Sequence, residues 1–376
     1  MEYLDDNTNK EANKTNSDSG NESNELETRP FAPTENPPNA QEKSTSTPES
    51  NQDNLSFQNR IDLSELQNGI DLIRQEIGKV IVGQKEMIDM LIASILANGH
   101  SLIEGVPGVA KTVSAKLLAK SLDVGFSRIQ FTPDLMPSDI LGTSVFNMKS
   151  SEFEFKPGPI FSNMILIDEI NRAPAKTQAA LFEVMEERQI TIDGNKFEME
   201  LPFIVLATQN PVEQEGTYRL PEAQLDRFLF KIDVDYPTVE EEVEILNREQ
   251  ILKGNEKSAQ ITAHLSKEKI NTFQNLVNEI SIETNLIKYI ADMIANTRNN
   301  PFLYLGASPR ASIAVLRSSK AFAAMGGRDF VTPEDIKRSA IPVLQHRVIV
   351  TPEREMEGLT TKQIIKQIIE AVEIPR

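Results

Sequence analysis

The sequence predicts an α/β protein in two parts, a parallel sheet with helices on both faces followed by an all-helical domain. Apolar segments of strand length alternate with helical segments between residues 100 and 208, and this alternation is typical of a buried parallel sheet. Strand patterns stop after Tyr236-Pro237, and only helical patterns follow. Two segments of alternating residues interrupt the α/β part, and they predict β-hairpin inserts.

Size and composition limit the possible functions. The chain has 376 residues, no cysteine, three histidines and a formal net charge of −17. This length allows two domains or three. The lack of cysteine excludes a disulfide framework, a thiol nucleophile and a cysteine-ligated metal. The acidic balance argues against a general nucleic-acid binder, which would carry a basic face.

The N-terminal segment differs from the rest of the chain. Residues 1–60 contain 12 acidic and 5 basic residues but only five leucines and phenylalanines. So little apolar surface cannot offset the entropy lost on ordering. We therefore expect a disordered acidic tail over 1–58, an α/β core over 59–237 and a helical domain over 238–376. No segment has the pattern of a signal peptide or a membrane span, so we expect a cytoplasmic protein with no membrane insertion.

The elements of the core follow in order. Apolar residues at near-helical spacing predict a first helix over residues 61–78, and a second helix is expected over about 85–98, where Gly99 stops it. The predicted strands are 100–104, 128–131, 164–168 and 203–208, with helices over 111–122 and 176–187. The hairpins are expected at 144–160 and 189–199, and Asp193-Gly194 is a typical turn pair.

Helical patterns fill the C-terminal part. They cover about 238–252, 266–279, 284–297, 309–325, 333–345 and 360–372. Proline follows Ser308, Thr332 and Thr351, and proline is favoured at the first position of a helix. These three sites therefore predict helix starts.

A glycine-rich loop follows the first predicted strand and opens a helix. The expected nucleotide-binding residues here are Gly105, Val106, Pro107, Gly108, Val109, Ala110, Lys111, Thr112 and Val113. In such a loop the backbone N–H groups face the phosphates, the lysine reaches the β- and γ-phosphates, and the hydroxyl binds Mg²⁺. Ala110 departs from the general pattern, which has glycine at that position. The alternative interpretation is a glycine–proline turn with a surface lysine.

Acidic and polar residues end two later strands. Asp168 and Glu169 follow an apolar strand, and ligands bind at the carboxyl ends of the strands in open α/β sheets. We expect Asp168 to hold Mg²⁺ and Glu169 to activate the attacking water. Asn210 ends the next strand and could contact that water or the γ-phosphate. Solvated acids and a turn before Pro211 are the structural alternatives.

Arginines are the remaining candidates. Arg227 follows a short predicted helix, and Arg310 opens a helix of the second domain. A guanidinium can neutralise charge on the γ-phosphate from its own chain or from a neighbour. Arg172 and Arg219 are further candidates. The alternative role for each is a surface ion pair, which contributes little to stability.

Taken together, these stretches resemble the MoxR family of AAA+ ATPases over about residues 61–373. The matching stretches are VIVGQ (80–84), EGVPGVAKT (104–112), FTPDLMPSDILG (131–142), ILIDEINRAPAKTQAALFEVMEER (165–188) and ATQNPVEQEGTYRLPEAQLDRF (207–228). The resemblance implies a P-loop AAA+ core of the αβα type with hairpin inserts, followed by a helical lid. It also implies that alanine is usual at position 110.

The resemblance assigns roles to the residues that match the family motifs. Lys111 and Thr112 correspond to the Walker A pair, and Asp168 and Glu169 to the Walker B pair. Asn210 corresponds to sensor 1.

Other roles implied by the resemblance concern subunit contacts and the base. Arg227 corresponds to an arginine finger that reaches the ATP of a neighbouring subunit, and Arg310 to a sensor 2 residue that reaches the ATP of its own subunit. Val82 and Gly83 lie where such proteins contact adenine. Arg219 departs from the expected apolar residue or proline and places a second arginine near the subunit boundary.

The implied function is ATP hydrolysis, with ATP and Mg²⁺, that remodels or matures protein clients. The implied partners are identical subunits in a ring, expected to be a hexamer, and proteins with a von Willebrand factor A domain. A DNA-directed AAA+ motor or loader is the first alternative, although the net charge argues against nucleic acid. A nucleotide-gated scaffold with little turnover is the second.

Overall fold

The computed structural model describes residues 61–211, 217–218, 220–251 and 261–375. The predicted tail and Arg219 lie outside these residues. The strands are β1 (His100–Gly105), β2 (Phe126–Gln130), β3 (Gly142–Asn147), β4 (Glu152–Pro157), β5 (Met164–Asp168), β6 (Gln189–Ile192), β7 (Asn195–Glu198), β8 (Ile204–Gln209), β9 (Phe228–Val234), β10 (Leu303–Leu305) and β11 (Ile349–Val350).

The helices of the core and of the C-terminal part alternate with these strands or follow them. They are α1 (Ser64–Gly78), α2 (Lys85–Leu96), α3 (Lys111–Ser121), α4 (Pro137–Leu141), α5 (Ala175–Glu187), α6 (Glu222–Leu225), α7 (Val239–Ile251), α8 (Lys267–Glu279), α9 (Thr284–Arg298), α10 (Pro309–Met325), α11 (Pro333–Leu344), α12 (Pro352–Met356) and α13 (Thr361–Ala371). A 3₁₀ turn covers Ile170–Arg172.

Five strands form one parallel sheet in the order β2-β5-β8-β1-β9. The four strands expected from the sequence are present. The sequence prediction lacked β9, which pairs with β1 and forms one edge of the sheet. Because all five strands run the same way, their carboxyl ends share one edge, and the loops after β1, β5 and β8 meet there.

Alternate residues of β5 show that both faces of the sheet are covered. Met164 and Leu166 belong to an apolar cluster with α1, α2 and α3, whereas Ile165 and Ile167 belong to a second cluster with α5. Side chains of a strand point alternately to its two faces. The predicted α/β fold with helices on both faces is therefore confirmed.

The C-terminal part is a helical lid. Its helices α8–α11 and α13 share the apolar cluster that covers the α1–α3 side of the sheet, and α10 contacts α1 and α2 directly. The prolines after Ser308, Thr332 and Thr351 each begin a helix as predicted. The short antiparallel pair β10–β11 is an addition that the helical pattern did not predict.

Both predicted hairpins are present. Strand β3 pairs with β4, and β6 pairs with β7. Asp193 and Gly194 form a two-residue turn in the left-handed region, with φ of 51° and 80°, as hairpins with primed turns require. The Ser144 hydroxyl donates a hydrogen bond to the Asp193 carboxylate, so the two hairpins contact each other.

Among the described residues, no helix combines the length and the apolar character that a bilayer-crossing segment requires.

Candidate functional site

The loop between β1 and α3 lies at the carboxyl edge of the sheet. Gly108 and Ala110 have φ of 87° and 62°, and left-handed residues in a turn point backbone N–H groups into an anion-binding concavity. A Cβ atom at Gly108 would meet nothing within 4 Å, so this side of the loop is open. The positive φ at Ala110 explains the glycine of the general pattern, because the methyl group costs about 1–2 kcal/mol in that conformation.

The Lys111 side chain spans the mouth of this loop. Its Nζ atom donates hydrogen bonds to the Gly105 carbonyl oxygen and, at 3.2 Å, to the Gln209 carbonyl oxygen. The ammonium group therefore lies between the ends of β1 and β8, beside the start of α3, where the helix dipole also favours an anion.

Most of the predicted site residues line one cavity of about 350 Å³. Its lining consists of Pro107, Gly108, Ala110, Lys111, Thr112, Val113, Arg128, Gln130, Asp168, Glu169, Thr208 and Asn210. Val109 is buried, and Val106 packs against the apolar core. These two valines hold the loop on the core instead of lining the cavity.

Asp168 is a buried residue of this cavity and has three hydrogen-bond partners. Thr112 Oγ1 and Thr208 Oγ1 donate to Asp168 Oδ1 at 3.0 and 3.1 Å, and Arg128 Nε donates to Oδ2 at 2.7 Å. A hydroxyl and a carboxylate in contact form the hard oxygen set that Mg²⁺ prefers. The residues present therefore fit a magnesium ion.

Glu169 directly follows Asp168 and lines the same cavity. Its backbone is left-handed, with φ of 57° and ψ of 53°, which turns its carboxylate away from Asp168. Gln130 Nε2 donates to Oε2 at 2.8 Å, and Arg172 Nε lies 3.1 Å from the same oxygen. Arg172, a candidate from the sequence, thus contacts Glu169 of its own chain.

Sequence reasoning missed Arg128, Gln130 and Thr208. Arg128 and Gln130 are two positions apart on β2 and so share a face, and Arg128 Nη2 donates to Gln130 Oε1 at 3.2 Å. They connect Asp168 to Glu169 through side chains. The sequence did contain a signal for Arg128 and Gln130. They are polar residues two positions apart in a predicted strand, and that strand pairs with β5, which ends at Asp168, directly before Glu169.

Val82 and Gly83 lie in a different cavity, of about 580 Å³, formed with the first turns of α7. A Cβ atom at Gly83 would lie 2.4 Å from Glu241 Oε1, and φ is +68°. The positive φ therefore favours glycine at this position, and a larger residue would also displace the Glu241 carboxylate. Glu240, Glu241 and Glu244 give the α7 side of this cavity an acidic lining.

Arg227 and Arg310 line a third cavity, of about 540 Å³, at the opposite edge of the sheet. Gly99 and His100, at the start of β1, line it too, whereas the phosphate loop follows the end of that strand. The six residues of β1 separate the two cavities by about 17 Å. Arg310 thus lines a cavity that the phosphate loop of its own chain does not line, and this arrangement does not support the expectation that Arg310 reaches the ATP of its own subunit.

The third cavity carries a concentration of positive charge. Its lining contains five arginines and two acids, namely Arg188, Arg227, Arg310, Arg317, Arg347, Glu186 and Asp226. Glu186 ion-pairs with Arg310 at 2.8 Å and with Arg227 at 3.9 Å. In a chain with a net charge of −17, this cavity therefore has a local excess of positive charge.

His100 borders this cavity as a neutral structural residue. Burial, with a smaller effect of the Arg188 charge, lowers the pKa of His100 to about 4. The Val205 N–H donates to His100 Nδ1 at 3.0 Å, and His100 Nε2 lies 3.2 Å from the Met185 carbonyl oxygen. Burial, followed by the Arg317 charge, also lowers the pKa of Arg188.

Comparison with known proteins agrees with this architecture. Residues 100–230 match the model for the ATPase family associated with various cellular activities (AAA), and residues 295–368 match the AAA lid domain. The matched ranges cover the sheet with its phosphate loop and the greater part of the helical lid.

Individual relatives are similar over most of their length. The YeaC protein of Bacillus subtilis is 44% identical over 301 residues, 80% of this chain and 93% of that protein. The chaperone MoxR1 of Mycobacterium tuberculosis is 40% identical over 310 residues, covering 80% and 81%. The crystal structure of a candidate ATPase from Cytophaga hutchinsonii has a TM-score of 0.77 and 46% identity, covering 83% of this chain and 97% of that one.

Proposed function

Because the chain belongs to the MoxR family of AAA+ ATPases, we propose that it hydrolyses ATP and uses the energy to remodel protein clients as a ring of identical subunits. The observation that carries this proposal is the cavity in which Lys111, Thr112, Asp168 and Glu169 meet at the phosphate loop. A lysine, a magnesium-type oxygen pair and a carboxylate base are the parts that phosphoryl transfer to water requires.

Substrate binding is assigned to the loop and the start of α3. The N–H groups of the loop and Lys111 Nζ donate hydrogen bonds to the β- and γ-phosphates. Val82 and Gly83 are proposed to contact the adenine, since the cavity they line is formed with the lid helix α7. The lid and the core then both respond to the bound nucleotide.

The magnesium ion is assigned to Thr112 and Asp168, whose oxygens lie 3.0 Å apart. When bound, Mg²⁺ neutralises charge on the β- and γ-phosphate oxygens. The Thr208 hydroxyl also donates a hydrogen bond to Asp168. This contact holds the Asp168 carboxylate in place at the end of β5.

The attacking water is assigned to Glu169. Its carboxylate orients the water and takes its proton as general base. Gln130 and Arg172 bind one oxygen of this carboxylate, which leaves the other to face the water. Asn210 lines the same cavity and is proposed as a second polar contact to the water or to the γ-phosphate.

Arg227 and Arg310 are proposed to act together on the ATP of a neighbouring subunit. Both line the cavity at the amino edge of the sheet, and both guanidinium groups approach one carboxylate, that of Glu186. In a head-to-tail ring, this edge of one subunit faces the nucleotide edge of the next, and such interfaces close into rings. Hydrolysis then depends on assembly, for which we propose a hexamer.

Protein clients are proposed because a relative at 40% identity is a chaperone, and von Willebrand factor A domain proteins are the proposed adaptors. The hairpin β3–β4 suits client contact, since Phe146, Met148 and Phe153 are 49%, 88% and 74% exposed. Exposed apolar groups of this kind mark interaction sites. We propose a cytoplasmic location, because the proposed reaction needs ATP and ATP is abundant there.

The testing experiment measures molar mass by size-exclusion chromatography with light scattering. The Glu169→Gln variant is run with and without ATP and Mg²⁺, beside wild-type protein assayed for ATP hydrolysis. We expect wild-type turnover and an ATP-dependent ring of the variant. A protein that binds ATP without turnover would favour the nucleotide-gated scaffold. Salt-dependent DNA binding would favour the DNA-directed motor.

A further inference from the structure

Glu186 lies between the two arginines assigned to the neighbouring nucleotide. It is in the last turn of α5 and lines the cavity at the amino edge of the sheet. Its Oε1 accepts a hydrogen bond from Arg310 Nη2 at 2.8 Å, and its Oε2 lies 3.9 Å from Arg227 Nε. One carboxylate oxygen therefore faces each arginine.

Each guanidinium has more N–H donors than its contacts use. Arg227 Nη1 donates to the Phe182 carbonyl oxygen, while its buried Nε has no hydrogen-bond partner among the described residues and points to Glu186. Because a guanidinium has five N–H donors, contacts of this kind fix its plane and leave donors for a second anion. The same holds for Arg310, whose side chain is 55% exposed.

Glu186 lies among positively charged side chains, and its carboxylate offsets their repulsion. Arg188, Arg317 and Arg347 line the same cavity as Arg227 and Arg310, and although Asp226 pairs with Arg347, guanidinium groups outnumber carboxylates around the two arginines. Without a counter-charge between them, the exposed Arg310 would move away into solvent. A carboxylate between the two offsets this repulsion and sets the distance between their guanidinium groups.

We propose that Glu186 is a positioning residue that holds Arg227 and Arg310 together for the terminal phosphate of an ATP bound by a second copy of this chain. The inference rests on the proposed function, because the phosphate comes from the neighbouring subunit. Glu186 itself does not contact the nucleotide.

The test compares Glu186→Gln with Glu187→Gln, which removes the same charge from the adjacent exposed residue. We expect Glu186→Gln to lower kcat about 10- to 100-fold, since small misplacements of catalytic groups have effects of this size. Affinity for ATP, measured with a fluorescent analogue, stays unchanged because the phosphate loop is intact. Glu187→Gln stays at the wild-type rate, and Glu186→Asp, which keeps the charge, falls between.

Subunit mixing separates a positioning role from a general structural one. Glu186→Gln mixed with Lys111→Ala should regain activity, because the ATP of the first subunit then faces the intact arginines of the second. Glu186→Gln mixed with Arg227→Ala should not, because both subunits lack a working arginine pair. Light scattering on each mixture verifies that rings form.

The outcomes distinguish this inference from the function on which it rests. If Glu186→Gln equals or exceeds the wild-type rate while Arg227→Ala is slow, Glu186 has no positioning role and the proposed function stands. Loss of activity that mixing with Lys111→Ala cannot restore would also overturn the inference. If Arg227→Ala and Glu186→Gln both match wild type, the assignment of the arginines to a neighbouring subunit is wrong.

Discussion

Arg347 of the lid binds Asp226 of the core, with 2.7 Å between Arg347 Nε and Asp226 Oδ1. The arginine is buried, and it also donates to backbone carbonyl oxygens of Asp226, Phe228 and Leu229. Ser308 of the lid donates to the other oxygen of Asp226 at 3.3 Å. Because Asp226 directly precedes Arg227, the lid fixes the backbone that carries the proposed trans-acting arginine.

Replacement of Arg347 should therefore destabilise the protein strongly. Arg347→Met leaves the Asp226 carboxylate with the Ser308 hydrogen bond but without its charged partner, and breaking a buried pair in this way costs about 3–5 kcal/mol. Urea unfolding followed by circular dichroism measures this loss. Lys196→Met removes the exposed pair with Glu198 and serves as control, with an expected cost below about 1 kcal/mol. Equal midpoints for the two variants would contradict the prediction.

Lys111→Ala should abolish ATP binding or weaken it greatly, since its ammonium group lies at the phosphate loop, between the ends of β1 and β8. Fluorescence titration with an ATP analogue measures the affinity. Lys116→Ala, an exposed residue of the same helix, is the matched control and should bind like wild type. Unchanged affinity of Lys111→Ala would rule out the phosphate-loop assignment.

Glu169→Gln should bind ATP and lose turnover by about 10²- to 10⁴-fold, the usual contribution of a general base. Phosphate release under saturating ATP measures kcat. The control is Glu183→Gln, which removes an exposed acid on α5 and should leave kcat unchanged. A normal rate for Glu169→Gln would mean that another group activates the water.

Arg227→Ala and Lys111→Ala should each be inactive alone and partly active when mixed. In the mixed ring, a subunit with an intact phosphate loop faces a neighbour with an intact Arg227. ATP hydrolysis across a series of mixing ratios measures the recovery, and light scattering verifies mixed rings. Mixed rings that stay inactive at every ratio would count against action across the subunit boundary.

Stability should fall as the pH is lowered below 6.5, in part because of His100. Its pKa is lowered to about 4 in the folded chain, so below its ordinary value the unfolded state binds a proton that the folded state does not. The unfolding free energy then decreases by up to about 1.4 kcal/mol per pH unit between pH 6.5 and about 4. His100→Gln should have a shallower slope in urea unfolding from pH 7.5 to 5. Identical slopes would mean that His100 titrates alike in both states.

The phosphate cavity could be predicted from the sequence because its signals are local. Gly108, Lys111 and Thr112 lie in one turn, and Asp168 and Glu169 end one strand. These residues come together whenever the strands are parallel, because parallel strands share one carboxyl edge. The alternation of strands and helices already indicates such a sheet.

The positions of Arg227 and Arg310 could not be predicted in the same way. Arg310 depends on the side of the core that the lid covers, which follows from the contacts of α10 with α1 and α2 across hundreds of residues of sequence. Arg227 directly precedes β9, so its place at the amino edge follows from a strand that the sequence did not predict. Strand β9 was missed for a related reason. Its sequence, FLFKIDV, begins directly after the motif around Arg227, and an arginine motif followed by apolar residues does not by itself indicate a strand.

The way the lid meets β9 has a consequence for folding in the cell. This strand is an edge of the sheet, and the side chains of Gln345, His346 and Arg347 contact its backbone carbonyl oxygens. Open sheet edges recruit strands from other chains and lead to aggregation. A nascent chain that has completed β9 but not the segment around Gln345–Arg347 lacks these contacts, so synthesis of that segment covers a sheet edge that otherwise can pair with strands of other copies of the chain.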